Sequence, residues 1–184
     1  PALIDVITAD QLQERGARTS IEALNSAPGV TAAALASSPG VTSMRGFTSG
    51  SVSLLYDGVR QTTSGLVTRN LDSWSFDRIE VLKGPASVLY GEGALGGAIN
   101  LVPKTPSMER SSIEGLISYG SFESIRTGAD VNVPLGRRSA VRWVASYADN
   151  AGYLDDSRFE SLGTTVSWRW LATDAVTVDV AADY

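Results

Sequence analysis

From Ile113 to the last residues, apolar and polar side chains alternate with period two, and no other feature constrains the fold of this chain as tightly. Ile125, Thr127, Ala129, Val131 and Val133 fall on one side of an extended backbone, with Ser124, Arg126, Gly128, Asp130 and Asn132 on the other. Leu162, Thr164, Val166, Trp168 and Trp170 oppose Ser161, Gly163, Thr165, Ser167 and Arg169 in the same way. Val176, Val178, Val180 and Ala182 oppose Thr177, Asp179, Ala181 and Asp183. Successive side chains of a strand point to opposite faces, so each run reads as a strand with one apolar and one polar face. With Ile113 to Tyr119 and Ala140 to Asp149, the pattern gives five antiparallel strands.

Two architectures satisfy that pattern. One is a soluble meander with a wet face, which the pattern taken alone favours; the other is the wall of a membrane barrel. Two details point to the barrel. The strands approach the ~9–11 residues that a tilted membrane strand needs. Tyr119, Tyr147, Trp168, Trp170 and Tyr184 gather toward strand ends on the apolar faces, as an interfacial girdle would. Short connections at 134–139 and 171–174 alternate with a longer polar one at 150–160, and Gly120-Ser121-Phe122 reads as a short outer connection.

Composition removes other classes. The 184 residues carry a net charge of −5 without Lys/Arg runs, which argues against nucleic acid as a partner. Neither Cys nor His occurs, so disulfides, thiolate or imidazole metal sites and Ser-His or Cys-His nucleophiles are excluded. Mean hydropathy is +0.01, and no stretch approaches the ~20 apolar residues of a membrane helix. The chain starts at Pro1 without an initiator Met or a signal peptide, and it is expected to be a fragment or a processed chain.

Before Pro103-Lys104-Thr105-Pro106 the chain reads differently. Residues 4–7 form a short strand. Thr8-Ala9-Asp10-Gln11 has capping-box spacing and opens a helix to about Arg15, stopped by Gly16; Thr19-Ser20-Ile21-Glu22 repeats the device and ends before Pro28-Gly29. Thr31 to Ser43 is small and polar and reads as a long loop. Asp57-Gly58, flanked by Ser53–Tyr56 and Val59-Arg60, predicts a type I′ hairpin. Gln61 to Asn70 reads as a second loop, and Arg78–Leu82 and Ala98–Val102 as strands.

Several motifs have a functional and a structural reading. Gly91-x-Gly93-x-x-Gly96 matches a dinucleotide fingerprint by letter, but a helical turn is expected before it (Ala86 to Tyr90) and a strand after it, which reverses the required order. A tight glycine loop between closely approaching backbones is the better account. Ser87 has no general base, and Gly84-Pro85 before it suits a helix N-terminus. Asp155-Asp156 read as solvated loop carboxylates, with too few oxygen ligands nearby for Ca²⁺. Arg78 and Glu80, two apart, share a strand face, with Ile79 and Val81 on the other and Lys83 close by. That face reads as wet, or as a charged surface meeting a polar wall.

The segment from Arg78-Ile79-Glu80-Val81-Leu82-Lys83-Gly84-Pro85 to Gly96-Gly97-Ala98-Ile99-Asn100-Leu101-Val102 resembles the signature of the plug domain of TonB-dependent outer-membrane receptors. Asp5–Leu12, Glu22–Leu24 through Pro28-Gly29-Val30, Arg45-Gly46-Phe47 and Leu55–Arg60 fit the same family in the right order. Tyr119–Phe122 with Arg126, Asp130 and Pro134-Leu135 resembles its first barrel hairpin. Arg-Gly-Phe and the ending Gly-Gly-Ala-Ile-Asn-Leu-Val-Pro-Lys look most like the ferric-siderophore branch. The resemblance implies an α+β plug domain, a small mixed sheet with short helices, over residues 1–105. The first five antiparallel strands of a 22-stranded transmembrane β-barrel would follow from 106 to 184.

It further implies TonB-dependent uptake of a ferric siderophore across the outer membrane of a Gram-negative bacterium. No enzymatic activity, covalently bound cofactor or resident metal is expected. TonB would engage through a TonB box upstream of Pro1, powered by inner-membrane energising proteins. Arg45 and Lys83 match plug positions that pair with barrel glutamates, and with Arg78 and Glu80 they form the expected plug–barrel lock. Upward loops at 31–44, 48–52 and 61–70 would meet ligand, with Ser49, Gly50, Ser51, Ser64, Gly65 and Leu66 as the candidate contacts. Five strands with two open edges are not expected to insert stably alone. Another cargo (cobalamin, haem or an oligosaccharide), a signalling receptor with an extra periplasmic domain, and a soluble β-rich binding or enzyme domain stay open as alternatives.

Overall fold

Local capping chemistry sets the first turns of the chain. The computed structural model describes residues 3–35, 38–48, 50–61, 71–84, 94–121, 123–150 and 159–184. Strand β1 (Leu3–Thr8) runs into helix α1 (Ala9–Glu14). Thr8 Oγ1 accepts from Gln11 N at 3.4 Å while Thr8 N donates to Gln11 Oε1 at 3.2 Å, which closes the expected capping box. Helix α2 (Ser20–Asn25) has only half of its box: Thr19 Oγ1 accepts from Glu22 N at 3.2 Å. The Glu22 carboxylate instead takes the N–H of Arg18 at 2.7 Å. A β-bridge between Thr19 and Asp72 holds this stretch extended, and the carboxylate reaches one residue further back.

The expected loop from Thr31 to Ser43 is a strand pair, β2 (Val30–Leu35) with β3 (Ser38–Met44). Small residues carry little periodic signal, so the reading by composition fails here. Backbone pairing decides the matter, helped by Asn25, whose amide mimics a strand neighbour: Asn25 Nδ2 donates to Ala32 O and Asn25 Oδ1 accepts from Ala32 N, both at 2.8 Å. Val30, Ala32 and Met44 are buried. Strands β4 (Val52–Tyr56) and β5 (Val59–Arg60) form the predicted hairpin. Asp57 (φ 49°) and Gly58 (φ 76°) both adopt the left-handed conformation that a type I′ turn requires.

A 3₁₀ turn (Ser73–Ser75), capped by Asp72, leads into β6 (Phe76–Lys83), and β7 (Gly97–Pro103) completes the first unit. The sheet order is β1-β6-β7-β4-β5, with β4 parallel to β7 and the other pairs antiparallel. One face, with Ile7, Ile79, Val81, Ile99 and Leu101, joins Leu12, Ala23, Leu24, Val30 and Met44 in a single core. Gly97 lies at the tightest point. A Cβ there would stand 2.3 Å from both Leu82 O and Met44 Sδ, and its φ is +149°.

The chain divides into two units, 1–103 and 104–184. In the second, β8 (Ser112–Gly120), β9 (Ser124–Pro134), β10 (Ser139–Asn150), β11 (Phe159–Leu171) and β12 (Thr177–Asp183) form an antiparallel meander in chain order, as the alternation predicts. Its burial is the inverse of a water-soluble sheet. Ile113 and Ile117 are 82% and 88% exposed, whereas Asp130 and Asn132 on the other face are 1% and 2% exposed.

Three aromatics of the apolar face have their polar atoms paired within that face. Trp143 Nε1 donates to Thr164 Oγ1 at 2.9 Å, Trp168 Nε1 to Ser139 Oγ at 2.7 Å, and Tyr147 OH to Glu160 Oε1 at 3.0 Å. Trp168 and Trp170, two apart, stack with ring centroids 6.0 Å apart. Among the described residues no helix is long and apolar enough to cross a membrane, a fact that does not bear on strands.

Gly97→Ala should cost about 2–3 kcal/mol, because the methyl group meets a backbone carbonyl that cannot yield. In the full-length protein, hydrogen exchange of the β6–β7 amides should then quicken roughly 30- to 150-fold. Gly29→Ala meets nothing within 4 Å and should cost only the left-handed penalty, about 1 kcal/mol. Equal effects of the two substitutions would refute the close-approach account.

Candidate functional site

Several of the expected site residues converge on Gly96-Gly97. Met44-Arg45-Gly46-Phe47 is a two-residue reverse turn: Met44 N donates to Phe47 O at 2.8 Å and Phe47 N to Met44 O at 2.9 Å. Arg45 (φ 51°) and Gly46 (φ 85°) are both left-handed. Met44 packs over Gly97, and Phe47 lies where a Cβ on Gly96 would stand 2.5 Å from Phe47 Cβ. The next turn is tied to the same place, since Ser51 N donates to Thr48 O at 3.0 Å and Gly96 N to Ser51 O at 2.8 Å. Gly84 N, after the end of β6, donates to Gly96 O at 3.1 Å. The glycine pair is therefore a packing corner, as the structural reading of that motif expects.

Arg45 is unusual at its position. A non-glycine residue in the left-handed region costs about 1–2 kcal/mol, and Asn, Asp or Gly normally fills this place in a type I′ turn. The side chain is exposed at the tip of the turn. Among the described residues its guanidinium meets no carboxylate.

The charges of β6 divide between the two sheet faces. Lys83 follows Ile79 and Val81 on the core face and is only 4% exposed; its Nζ is paired with the Asp5 carboxylate on β1. Arg78 and Glu80 share the opposite face, with Arg78 Nε donating to Glu80 Oε1 at 2.8 Å and Arg78 Nη1 to Asp77 at 2.9 Å. The four expected lock residues thus do not form one surface. Lys83 lies at the end of β6 near Gly97, and Arg78 with Glu80 lies on the reverse face.

Asn100 is a residue that sequence reasoning did not single out. Its Nδ2 donates to Glu80 Oε2 at 3.0 Å, and its Oδ1 accepts from Gly58 N at 2.9 Å. It therefore ties the type I′ turn to the charged face. The signal was one amide inside the apolar run Ala98-Ile99-Asn100-Leu101-Val102. The Asn100 hydrogen bond holds the Glu80 carboxyl below the usual carboxylate range, against a smaller opposing effect of burial, and Arg78 adds to the lowering. Glu80 and then Asp77 raise the guanidinium of Arg78.

Of the expected ligand contacts, Gly50 (exposed, φ 96°) and Ser51 belong to the turn anchored on Gly96. Ser49, Ser64, Gly65 and Leu66 lie outside the described residues, as do Ala86–Tyr90 with Ser87, Gly91, Gly93 and Asp155-Asp156. The expected contact loop at 31–44 is largely the β2–β3 strand pair. Among the described residues no group of three or more acidic side chains is placed to hold a metal.

The sequence pattern of the TonB-dependent receptor plug domain matches residues 1–98. The chain belongs to the TonB-dependent receptor plug domain family. Among similar proteins, the ferripyoverdine receptor of Pseudomonas aeruginosa is 32% identical over 84% of this chain and 19% of its own length. The ferrioxamine B receptor of Salmonella typhimurium is 31% identical over 99% of this chain and 27% of its own length. The solved structure of the pyoverdine outer membrane receptor FpvA from Pseudomonas aeruginosa, bound to pyoverdine, superposes with a TM-score of 0.87 at 26% identity, over 100% of this chain and 27% of that one. The chain thus spans about a fifth to a quarter of the length of the curated relatives it matches. Arg45, Arg78, Glu80 and Lys83 all fall inside the plug-domain match.

The Glu80 cluster gives this plug domain a defined acid response. A carboxyl whose folded pKa is lowered adds stability above its unfolded value, and that stability disappears as pH falls through the folded value. Protection of the Gly58 and Asn100 amides in the full-length protein should therefore decline as pH drops from about 5 to about 3. Glu80→Gln should flatten that decline after correction for intrinsic exchange. An unchanged pH profile in Glu80→Gln would remove Glu80 as its source.

Proposed function

We propose that the whole protein is a TonB-dependent receptor, not an enzyme, that takes up an iron–siderophore complex across the outer membrane of a Gram-negative bacterium. The observation that carries this reading is likeness along nearly the whole chain to receptors named for ferripyoverdine and ferrioxamine B. The inverse amphipathicity of β8–β12 supports it, because an apolar outer face suits lipid and a polar inner face suits a lumen. Residues 1–105 act as the plug, and 106–184 as the first strands of a closed barrel of twenty-two. The remaining strands remove the open edge of the sheet, whose unpaired backbone groups would each cost several kcal/mol in hydrocarbon.

TonB engages through a TonB box upstream, and inner-membrane proteins supply the energy. The ferric siderophore is cargo, met by Ser49, Gly50, Ser51, Ser64, Gly65 and Leu66. Arg45 and Lys83 pair with barrel glutamates to lock the plug, and Arg78 and Glu80, on the reverse face, form the charged surface that meets the polar wall of the lumen. The strained, exposed position of Arg45 favours that role, since its side chain is held outward at a backbone cost.

Deletion of the full-length gene should abolish growth on one defined ferric siderophore as sole iron source, and depletion of TonB should stop uptake of radiolabelled iron from it. Growth defects confined to cobalamin, haem or an oligosaccharide would transfer the same machinery to another cargo. Arg45→Ala should raise passive ion leak through the reconstituted receptor; unchanged leak together with unchanged uptake would remove the lock role.

A further inference from the structure

Two connections meet at one end of the strand wall. Residues 135–138 join β9 to β10, and 172–176 join β11 to β12. Leu171 N donates to Arg138 O at 2.8 Å, which sets the two turns side by side. Arg138 Nη2 donates across them to Asp174 Oδ1 at 2.7 Å. That pair is solvent-exposed on both sides, so it braces the turns and adds little stability of its own. Arg137 is exposed at the tip of the first turn, after left-handed Gly136. Among the described residues it meets no carboxylate, so it is the uncommitted cation of this rim.

The apolar face begins directly inside the rim. Trp170 stands opposite Ser139 and Trp168 opposite Val141 in the strand register, and the two exposed indoles lie within 9° of parallel. Trp168 Nε1 is committed to Ser139 Oγ. Trp170 is nearer the turns, and among the described residues its Nε1 has no acceptor. A tryptophan N–H at the edge of an apolar surface normally finds a partner. Val133 on the same face and Leu135 in the first turn are exposed as well. The rim thus offers a free guanidinium and a free indole N–H above a floor of apolar side chains.

We propose that this rim binds the phosphate headgroup of an anionic phospholipid, with Arg137 and Trp170 Nε1 as donors and the Trp168–Trp170 pair beneath the acyl chain. The site rests on the proposed barrel, in which the apolar face meets lipid. Arginine presents a planar fork that matches phosphate oxygens, and one basic residue beside an anionic lipid surface strengthens attachment about fivefold. Charge distinguishes the two ends of the strands. The turns carry Arg137 and Arg138 against Asp174, whereas the connections at the other end, 121–123 and 151–158, carry Glu123, Asp155 and Asp156 against Arg158. Short turns of such barrels face the periplasm, where the adjoining leaflet is phospholipid rather than lipopolysaccharide.

Native mass spectrometry of the full-length receptor in detergent, titrated with phosphatidylglycerol and with phosphatidylcholine of the same chain length, tests this. Phosphatidylglycerol should be retained more strongly by about fivefold or more. Arg137→Gln should lower its retention about fivefold. Trp170→Phe keeps the ring but removes the donor and should lower it about threefold, while Glu123→Gln at the other end should leave it unchanged. Equal retention of the two lipids, or no effect of Arg137→Gln, would overturn the proposal. Displacement of the lipid by millimolar inorganic phosphate would overturn it in favour of a free-phosphate site, and stronger retention of lipid A would overturn it in favour of the other leaflet. If Arg137→Gln does not assemble, the two-lipid comparison on the unaltered protein decides alone. A full-length protein that stays in solution without detergent would overturn the barrel reading and this site together; a detergent-dependent, heat-modifiable receptor with no lipid preference would overturn this site alone.

Discussion

The first unit depends on one point of contact, the absence of a side chain at Gly97. Strand β7 begins there, between Lys83 of β6 and Val52 of β4, and the Met44 side chain fills the space that a Cβ would need. Three consequences follow from that packing. The Arg-Gly-Phe turn is pressed against the sheet, which fixes Arg45 at its tip. The Thr48–Ser51 turn hangs from Gly96 by a backbone hydrogen bond. The end of β6 is brought to the same corner through Gly84. Interiors as dense as organic crystals transmit such displacements rather than absorb them, so the positions of the candidate site residues are set by the smallest residue near them.

In the second unit the governing constraint is satisfaction of polar groups on both faces of one sheet. The apolar face carries indole and phenol groups whose N–H and O–H atoms would be orphaned in hydrocarbon. Thr164, Ser139 and Glu160 supply partners within the same face. The opposite face buries Asp130 and Asn132, and their partners come from the 104–110 segment and from Arg142. A buried carboxylate is tolerable only when paired, and here two cations meet it. The alternation legible from Ile113 onward specifies which residues face which way; the network specifies what each polar residue then holds.

Much of the fold was legible where the signal is local. Thr8 with Gln11, Asp57-Gly58 and the strands of the meander each follow from chemistry contained within a few residues. The β2–β3 pair was not legible, because Ala, Ser and Thr form strands or loops with similar ease and the Asn25 amide that helps fix Ala32 is seven positions away. The candidate site divides the same way. The common face of Arg78 and Glu80 follows from spacing alone. The pairing of Lys83 with Asp5, 78 positions apart, and the double role of Asn100 depend on strand order, which the sequence pattern does not encode. The direction of Lys83 was in fact readable from parity: an odd position after Ile79 and Val81 belongs on the core face, however strongly its charge suggests the wet one.

That parity bears on how a plug would be held. Of the four charged residues assigned to the lock, three are already committed within the first unit: Lys83 to Asp5, and Arg78 and Glu80 to each other and to Asp77 and Asn100. A carboxylate approaching Lys83 or Arg78 must compete with a partner in place, and for Lys83 it must also reach a group that is 4% exposed. Arg45 has an exposed, planar fork of donors suited to bidentate carboxylate recognition, no carboxylate partner among the described residues, and the left-handed backbone that its type I′ turn requires. In the proposed lock, the electrostatic attraction between plug and wall therefore falls chiefly on Arg45. Lys83, already paired with Asp5, holds edge strand β1 to β6.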